Sequence, residues 1–231
     1  MQPYMYGPKF MWNLTNSVGK GGANTKLEAV MGRRHLFASL TTLAIAGGGA
    51  GTAQAQQGAA PAMTLTIPGF PDGGIIPVQF SQAAPGAAPG EGTSPAMTWA
   101  NAPAGTQSFV LHMHDLDLAR NRTTDDQVHW VVWNIPATAT GFPEGVPKGE
   151  KLADGSQQIS VTGPVYRGPG AQANGPLHHY MFELYALDTR IEVTSTGDAF
   201  ETRANVLKAI QGHILAKAVY GGRFRRPFLS K

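Results

Sequence analysis

The residues best suited to chemistry are two carboxylates and a histidine in one short stretch. The segment 109–136 reads FVLHMHDLDLARNRTTDDQVHWVVWNIP, with Asp115 and Asp117 just past one apolar run and His129 at the start of the next. If the extended backbone persists, the two acids face the same side, because residues two apart on a strand do so. Close carboxylates repel each other unless a cation or hydrogen-bond donor lies between them. The stretch therefore predicts a polar cleft at strand ends.

Two later segments supply further candidates for this cleft. His178 and Tyr180 lie two residues apart in an apolar run and therefore share a face. The loop residues Gly168 and Pro169 begin a Gly-Pro-Gly sequence, which lets the backbone approach a ligand closely. Together these residues predict a small pocket that holds an anion on histidine and backbone N–H groups.

The same residue types leave other functions open. Asp115, Asp117 and His129 could be the ligands of a metal-assisted hydrolase that uses a bound water as nucleophile. The chain contains no H-E-x-x-H motif and no G-x-S-x-G motif, which disfavours a zinc protease of that type and a serine hydrolase. A secreted protease inhibitor or other protein-interaction module also remains open, with the long Gly/Pro loops as its contact surface.

The N-terminal region predicts export. Residues 31–56 read MGRRHLFASLTTLAIAGGGAGTAQAQ, with a basic start, a mildly apolar centre and an A-x-A cleavage motif at 53–55. This order is typical of a signal peptide from Met31 to Ala55, read by either the Sec or the twin-arginine route, and it predicts a periplasmic or secreted protein. Residues 1–30 are then predicted to be a mis-called extension, and 56–63 a linker before the domain at 64–231.

Charge and composition exclude several classes of partner. The whole chain carries a net charge of +3, but residues 56–231 hold 13 basic and 14 acidic side chains, a net charge of −1. The expected mature protein therefore lacks the basic surface of a nucleic-acid-binding protein. There is no cysteine, so thiolate chemistry and disulfides are excluded. We also expect no transmembrane segment, since no apolar run reaches about 20 residues. A homodimer remains open.

The hydrophobic pattern predicts a mainly β protein, a β-sandwich with a few short helices. In the strongest strand, Phe109, Leu111 and Met113 share one face, whereas His112 and His114 lie on the other and are predicted to be surface or inter-sheet residues. Asp125 and Asp126 are predicted to lie in a solvated loop. The predicted strands are 64–67, 75–81, 97–99, 107–114, 128–135, 159–161, 179–187 and 220–225, with a helix at 201–219.

Several motifs in order resemble the phosphatidylethanolamine-binding proteins, in particular their bacterial Raf-kinase-inhibitor-like branch. The resemblance covers residues 64–225, nearly the whole expected mature chain. The motifs are Thr93-Ser94-Pro95, Asp115-x-Asp117, His129-Trp130-Val131-Val132, Asn134-Ile135-Pro136, Tyr166-x-Gly168-Pro169, Leu177-His178-His179-Tyr180 and Gly212-His213-Ile214.

The resemblance implies two antiparallel sheets with an anion pocket at one end, a non-catalytic binding or regulatory role, and no cofactor. The ligand would be phosphate or a phospholipid head group. The implied pocket residues are Asp115, Asp117, His129, Gly168, Pro169 and His178.

This chain departs from the family pattern around the pocket. Leu116 and Leu118-Ala119 replace prolines between and after the two acids, and His179 replaces the arginine that usually precedes the tyrosine. Gly170-Ala171 follows the Gly-Pro pair in place of a proline-rich run. These changes predict a less rigid turn and an altered ligand preference.

Overall fold

A computed structural model describes residues 61–228, which form nine strands, one α-helix and two single 3₁₀ turns. The predicted signal peptide, the extension 1–30 and linker residues 56–60 lie outside the described residues. The elements are β1 Thr64–Thr66, β2 Gly74–Ile75, β3 Met97–Ala100, β4 Ser108–Asp115, β5 Gln127–Pro136, β6 Gly141–Phe142, β7 Gln157–Ile159, β8 His178–Leu187, α1 Ala199–Ala209 and β9 Ile214–Phe224, with 3₁₀ turns at Val78–Phe80 and Arg120–Arg122.

The strands form a small and a large sheet, which confirms the predicted mainly β class. The small sheet has the order β1-β3-β6, and the large sheet has the order β2-β9-β8-β4-β5-β7. All pairings are antiparallel, as the family resemblance implies, except for the short parallel pair β2–β9 at the edge of the large sheet. The long neighbours β8, β4 and β5 make the centre of the large sheet.

The large sheet is buried on both faces. Phe109, Leu111 and Met113 of β4 pack with Trp130 of β5 in the main core beneath the small sheet. On the opposite face a second core joins the sheet to α1; its members include Val110, Val131, Trp133, Val206 and Ile210. Burial on two sides explains why β5 is apolar at nearly every position.

The predicted helix is correct at its start and wrong at its end. Asp198 caps α1, because its carboxylate accepts hydrogen bonds from the backbone N–H of Phe200 (2.7 Å) and Glu201 (3.0 Å). The helix ends at Ala209, and Gly212 turns the chain with a φ of +83°. From Ile214 onward the chain is strand β9, so the four-residue apolar spacing through Ile210 and Ile214 is a coincidence of two elements.

The predicted strand at 75–81 is also largely wrong. Only Gly74–Ile75 pairs in the sheet, and a 3₁₀ turn follows at Val78–Phe80. Pro77 has no backbone N–H to donate to a neighbouring strand, so the extended run cannot continue past it in the sheet. Within the described part of the chain, α1 is the one α-helix and is too short to cross a bilayer.

Candidate functional site

A cavity of about 370 Å³ opens where β4 ends and where β5 and β8 begin, beside the loop 167–176. Three of the six predicted pocket residues line it: Asp115, His129 and His178. The other lining residues are Gln82, Leu118, Gln127, Arg167, Gly170, Ala171, Gln172, Gly175, Pro176 and Tyr180.

His129 enters the cavity from a β-bulge. On β4 and β5, Met113 pairs with Trp130 while the next residue, His114, pairs with Val128, so His129 is the extra residue on β5. A bulge interrupts the alternation of faces and can direct a side chain away from its regular position. Here His129 lies in the pocket wall, 5.0 Å from the Tyr180 ring in an edge-on arrangement.

The His129 ring has a defined tautomer. Its Nδ1 lies 3.0 Å from the carbonyl oxygen of Arg167, and because a carbonyl only accepts, Nδ1 carries the proton. Burial lowers the pKa of His129 to about 4, against smaller raising effects from that hydrogen bond and from Asp115. The ring is therefore neutral at pH 7, and its Nε2 presents a lone pair.

Asp115 and His178 form the second wall. The His178 Nδ1 lies 2.8 Å from Asp115 Oδ2, and Asp115 Oδ1 accepts the backbone N–H of Asp117 at 3.0 Å. The sheet register places Asp115 directly opposite Tyr180. Because the carboxylate accepts, His178 donates from Nδ1 and turns its Nε2 away from Asp115.

Tyr180 ties the loop to the strand. The backbone N–H groups of Gly170 and Ala171 both donate to its hydroxyl oxygen at 3.2 Å. Burial, followed by the nearby Asp115 charge, raises the pKa of Tyr180, so the phenol stays protonated. The prediction that His178 and Tyr180 share a face is confirmed, since both line the cavity.

Asp117 lies outside the cavity lining. Its exposed carboxylate accepts the backbone N–H of His179 at 2.5 Å and lies 3.0 Å from the His179 Nδ1. Slight burial raises the pKa of Asp117, but these His179 contacts outweigh burial and lower it overall. The two acids therefore diverge after β4, one toward the pocket and one toward His179, and ligand contact by Asp117 stays a prediction.

Gly168 and Pro169 lie behind the lining and position it. Gln82 donates from Nε2 to the Gly168 oxygen at 2.7 Å and from its backbone to the Pro169 oxygen at 3.0 Å. A Cβ at Gly168 would lie 2.7 Å from the Phe80 oxygen, so only glycine fits this close approach. Direct ligand contact by Gly168 and Pro169 likewise stays a prediction.

Arg167 is the pocket residue that sequence reasoning missed. Its Nη1 donates to Thr162 Oγ1 at 2.8 Å, whereas its buried Nε has no hydrogen-bond partner within residues 61–228. Burial lowers the pKa of the guanidinium, although arginine keeps its charge in proteins. It was detectable as the one basic residue in the Gly/Pro loop 163–176.

The residues predicted for a metal-assisted hydrolase do not form a ligand set. Asp117 turns to His179, and His129 donates to Arg167. Across residues 61–228, the one group of three with ligand atoms within 4.8 Å of each other is His112, His114 and Glu183, on the opposite face of the sheet. The hydrolase alternative therefore has no support at the pocket.

Comparison with known proteins gives one consistent result. The family model described as phosphatidylethanolamine-binding protein matches residues 66–225. A UPF0098 protein of Methanothermobacter thermautotrophicus is 35% identical over 166 residues, covering 71% of this chain and 99% of the relative. The UPF0098 protein YbcL of Escherichia coli K12 is 38% identical over 104 residues, covering 43% of this chain and 55% of the relative.

Solved structures agree with this result. The phosphatidylethanolamine-binding protein homologue CT736 of Chlamydia trachomatis superimposes with a TM-score of 0.58 at 26% identity, covering 71% of this chain and 98% of that one. The crystal structure of Escherichia coli YbcL shares the fold, with a TM-score of 0.58 at 23% identity over 72% of this chain and 99% of that one. On the fold, the matched family model and these relatives, the chain belongs to the phosphatidylethanolamine-binding protein family.

Proposed function

We propose that this is an exported, non-catalytic binding protein whose pocket takes a phosphate group carried by a small molecule or a phospholipid head group. The observation that carries the proposal is the convergence of one guanidinium, Arg167, and two oriented imidazoles, His129 and His178, on a single cavity. A volume of about 370 Å³ suits a ligand of head-group size.

The charges in the cavity favour a zwitterion over bare phosphate. Arg167 offers N–H donors to phosphate oxygens. Asp115 is a buried carboxyl group, and a carboxylate at this place repels a second anion and attracts an ammonium group. The lone pair on His129 Nε2 accepts from a protonated phosphate oxygen or an amine. Phosphoethanolamine carries both charges and therefore matches the cavity better than inorganic phosphate.

The lining argues for binding over catalysis. Among residues 61–228, no serine, threonine or cysteine that could be a nucleophile lines the cavity. The Tyr180 hydroxyl has a raised pKa and already accepts two backbone hydrogen bonds. The His129 Nδ1 donates to the Arg167 carbonyl oxygen, so within residues 61–228 its hydrogen-bond partner is a backbone group and not a side chain that could relay a proton.

Calorimetry with phosphoethanolamine, phosphate and ethanolamine tests the proposal. We expect phosphoethanolamine to bind most tightly, and His129→Ala and Arg167→Gln each to weaken it at least tenfold. His213→Ala is the matched control, because His213 is an exposed histidine paired with Asp188 outside the pocket. Unchanged affinity in both pocket variants, or no binding of any of the three compounds at millimolar concentration, would disprove the proposal.

Export rests on the sequence from Met31 to Ala55 and is tested separately. We expect the mature protein to begin near Gln56 and to be recovered outside the cytoplasm. Replacing both Arg33 and Arg34 by lysine blocks export if the twin-arginine route is used and leaves it intact under the Sec route. A native protein whose N-terminal sequence includes Met1 would contradict both the export and the mis-called extension.

A further inference from the structure

The second polar cluster lies on the opposite face of the large sheet from the pocket. His112 and His114 project from β4 toward α1, and the β4–β8 register places Glu183 directly opposite His112. The prediction that the two histidines are surface or inter-sheet residues is wrong, because they lie between the sheet and α1. The sequence does not suggest this cluster, since Glu183 lies 69 residues after His114.

The two histidines are buried without satisfying their ring nitrogens. His112 is 3% exposed and His114 is 9% exposed. Within residues 61–228, both nitrogens of His112 and the Nε2 of His114 have no hydrogen-bond partner. A buried polar group without a hydrogen-bond partner destabilises the fold, so an apolar pair would pack here at lower cost if packing were the only role.

Asp126 orients the His114 ring from the side opposite Glu183. Its Nδ1 contacts Asp126 Oδ2, and Arg203 holds the other oxygen of the same carboxylate. Asp126 is therefore an ordered partner, and the prediction of a solvated loop is wrong for it. Because an ionised carboxylate only accepts, a proton is on Nδ1, which leaves Nε2 as the ring nitrogen that can coordinate a metal ion. A carboxylate behind a histidine is the usual outer contact of metal-bound imidazoles.

Glu183 places a carboxylate oxygen near both histidine rings. Its Oε2 lies 3.7 Å from the His112 Nδ1 and 3.7 Å from the His114 Nε2, too long for hydrogen bonds in either case. Lys217 contacts the other oxygen, Oε1, at 2.5 Å, while the Tyr185 hydroxyl donates to Oε2 at 2.6 Å. Burial raises the pKa of Glu183, but the surrounding imidazole, ammonium and phenol groups lower it overall, so the carboxylate is ionised.

We propose that His112, His114 and Glu183 bind a divalent transition-metal ion of the zinc class. Two imidazole nitrogens and one carboxylate oxygen are a typical donor set for such an ion, with a fourth position left open. The three donor atoms lie within 4.8 Å of one another, and tetrahedral ligands of zinc lie about 3.3 Å apart, so a modest contraction completes the site.

The surroundings leave room for the ion and a fourth ligand. A cavity of about 340 Å³ opens above the three residues, bounded by the loop 124–126 and by Arg203, Ala204 and Leu207 of α1. Arg203 is held by Asp126, and Lys217 by the Oε1 of Glu183, so both nearby cations are already paired.

Packing alone is the competing account of the two histidines. Their rings stack with centroids 4.2 Å apart and planes 19° apart, a geometry that two neutral imidazoles can adopt without a metal ion. The two accounts differ in whether the unpaired nitrogens coordinate an added ion, which can be measured directly.

The test is titration of the full chain with Zn²⁺ in competition with a chelator, and with Co²⁺ followed by visible absorption. We expect one ion per chain and a tetrahedral Co²⁺ spectrum. His112→Gln, His114→Gln and Glu183→Gln should each weaken Zn²⁺ binding, the histidine variants by at least 100-fold. His213→Gln is the matched control, since it removes a histidine that faces a carboxylate elsewhere, and it should bind Zn²⁺ as the unmodified protein does.

Histidine NMR of the unmodified protein keeps the proposal testable if variants fail to fold. Added Zn²⁺ should shift the ring signals of His112 and His114 and leave those of His129 and His178 in place. Loss of Zn²⁺ binding in His178→Gln but not in His112→Gln, shifts confined to other histidines, or no binding in the micromolar range would each overturn the proposal.

Discussion

Strand β4 carries two different polar environments on its two faces. On the core side the row Phe109, Leu111 and Met113 ends at Asp115, in the pocket with Arg167. On the helix side the row begins at Val110 and continues through two histidines that meet Glu183. Alternation of side chains along a strand is the reason that residues 112–115 contribute to two sites.

The difference between the two faces lies in what surrounds the imidazoles. In the pocket, the Nδ1 groups of His129 and His178 are both hydrogen-bonded, and an arginine is nearby. On the helix face, three ring nitrogens are unpaired in the described structure, and the nearby cations are held by Asp126 and Glu183. Under the two proposals the first environment would bind a phosphate and the second a cation, so the same residue type would serve ligands of opposite charge.

The largest expected effect tests whether both faces are equally packed. Trp130 lies in the core face and Trp133 in the helix face, and each is fully buried. We expect Trp130→Ala and Trp133→Ala each to lower the free energy of unfolding by about 3–5 kcal/mol in urea denaturation. Phe228→Ala, at a side chain 69% exposed, should change it by less than about 0.5 kcal/mol. A tryptophan variant that loses less than about 1 kcal/mol would contradict the packing of its face.

Acidification should lower the stability of the folded protein through protonation of the pocket residue His129. The pKa of His129 is about 4 when folded and about 6.5 when unfolded, so the folded state favours the neutral ring. Its stabilising contribution is therefore complete above pH 6.5 and falls by about 3 kcal/mol as the pH drops to 4.

Ring titration by NMR and urea unfolding at pH 7 and pH 4.5 measure this effect. His129→Asn should lose less stability over that interval than the unmodified protein, because the remaining titrating groups are common to both. A His129 ring that gains its proton near pH 6.5 would refute the buried, neutral assignment.

A smaller effect concerns the loop that carries Arg167. The added methyl in Gly168→Ala meets backbone atoms of Phe80 and Ser81 at 2.7 and 2.8 Å, and backbone cannot move aside easily. We expect a loss of about 1–3 kcal/mol in stability and weaker phosphoethanolamine binding. Gly175→Ala is the control for stability, since its nearest contact is an ordinary 3.5 Å. Equal stability of the two variants would argue against the close approach at Gly168.

The smallest effect separates the two sites from each other. Asp126→Asn removes the charge behind His114, and we expect Zn²⁺ affinity to fall about tenfold while phosphoethanolamine binding stays unchanged. Asp125→Asn is the matched control, because the Asp125 side chain is 69% exposed and, within residues 61–228, its one ionic contact is with Arg203, at 3.7 Å. An equal loss of Zn²⁺ affinity in both variants would mean that the loss comes from removing a nearby negative charge and not from a change in the orientation of His114.

Local patterns predicted the parts of the fold that depend on near neighbours in the chain. Alternation assigned both faces of β4 correctly, and the apolar run 128–135 indicated a strand, which the structure covers on both faces. The start of the helix was placed within two residues of Ala199, where Asp198 caps α1. The end of α1 was also present in the sequence as Gly212, but the spacing of Ile210 and Ile214 concealed it.

The sequence by itself determined the long strands β4, β5 and β8, the family and the presence of Asp115, His129 and His178 at strand ends. Only the tertiary structure decided that a bulge directs His129 into the cavity, that Asp117 turns away to His179, and that Arg167 supplies the charge. It also brought Glu183 opposite His112 across β4 and β8. The physical reason is that strand register and loop placement depend on packing between distant segments, which no local spacing of residue types records.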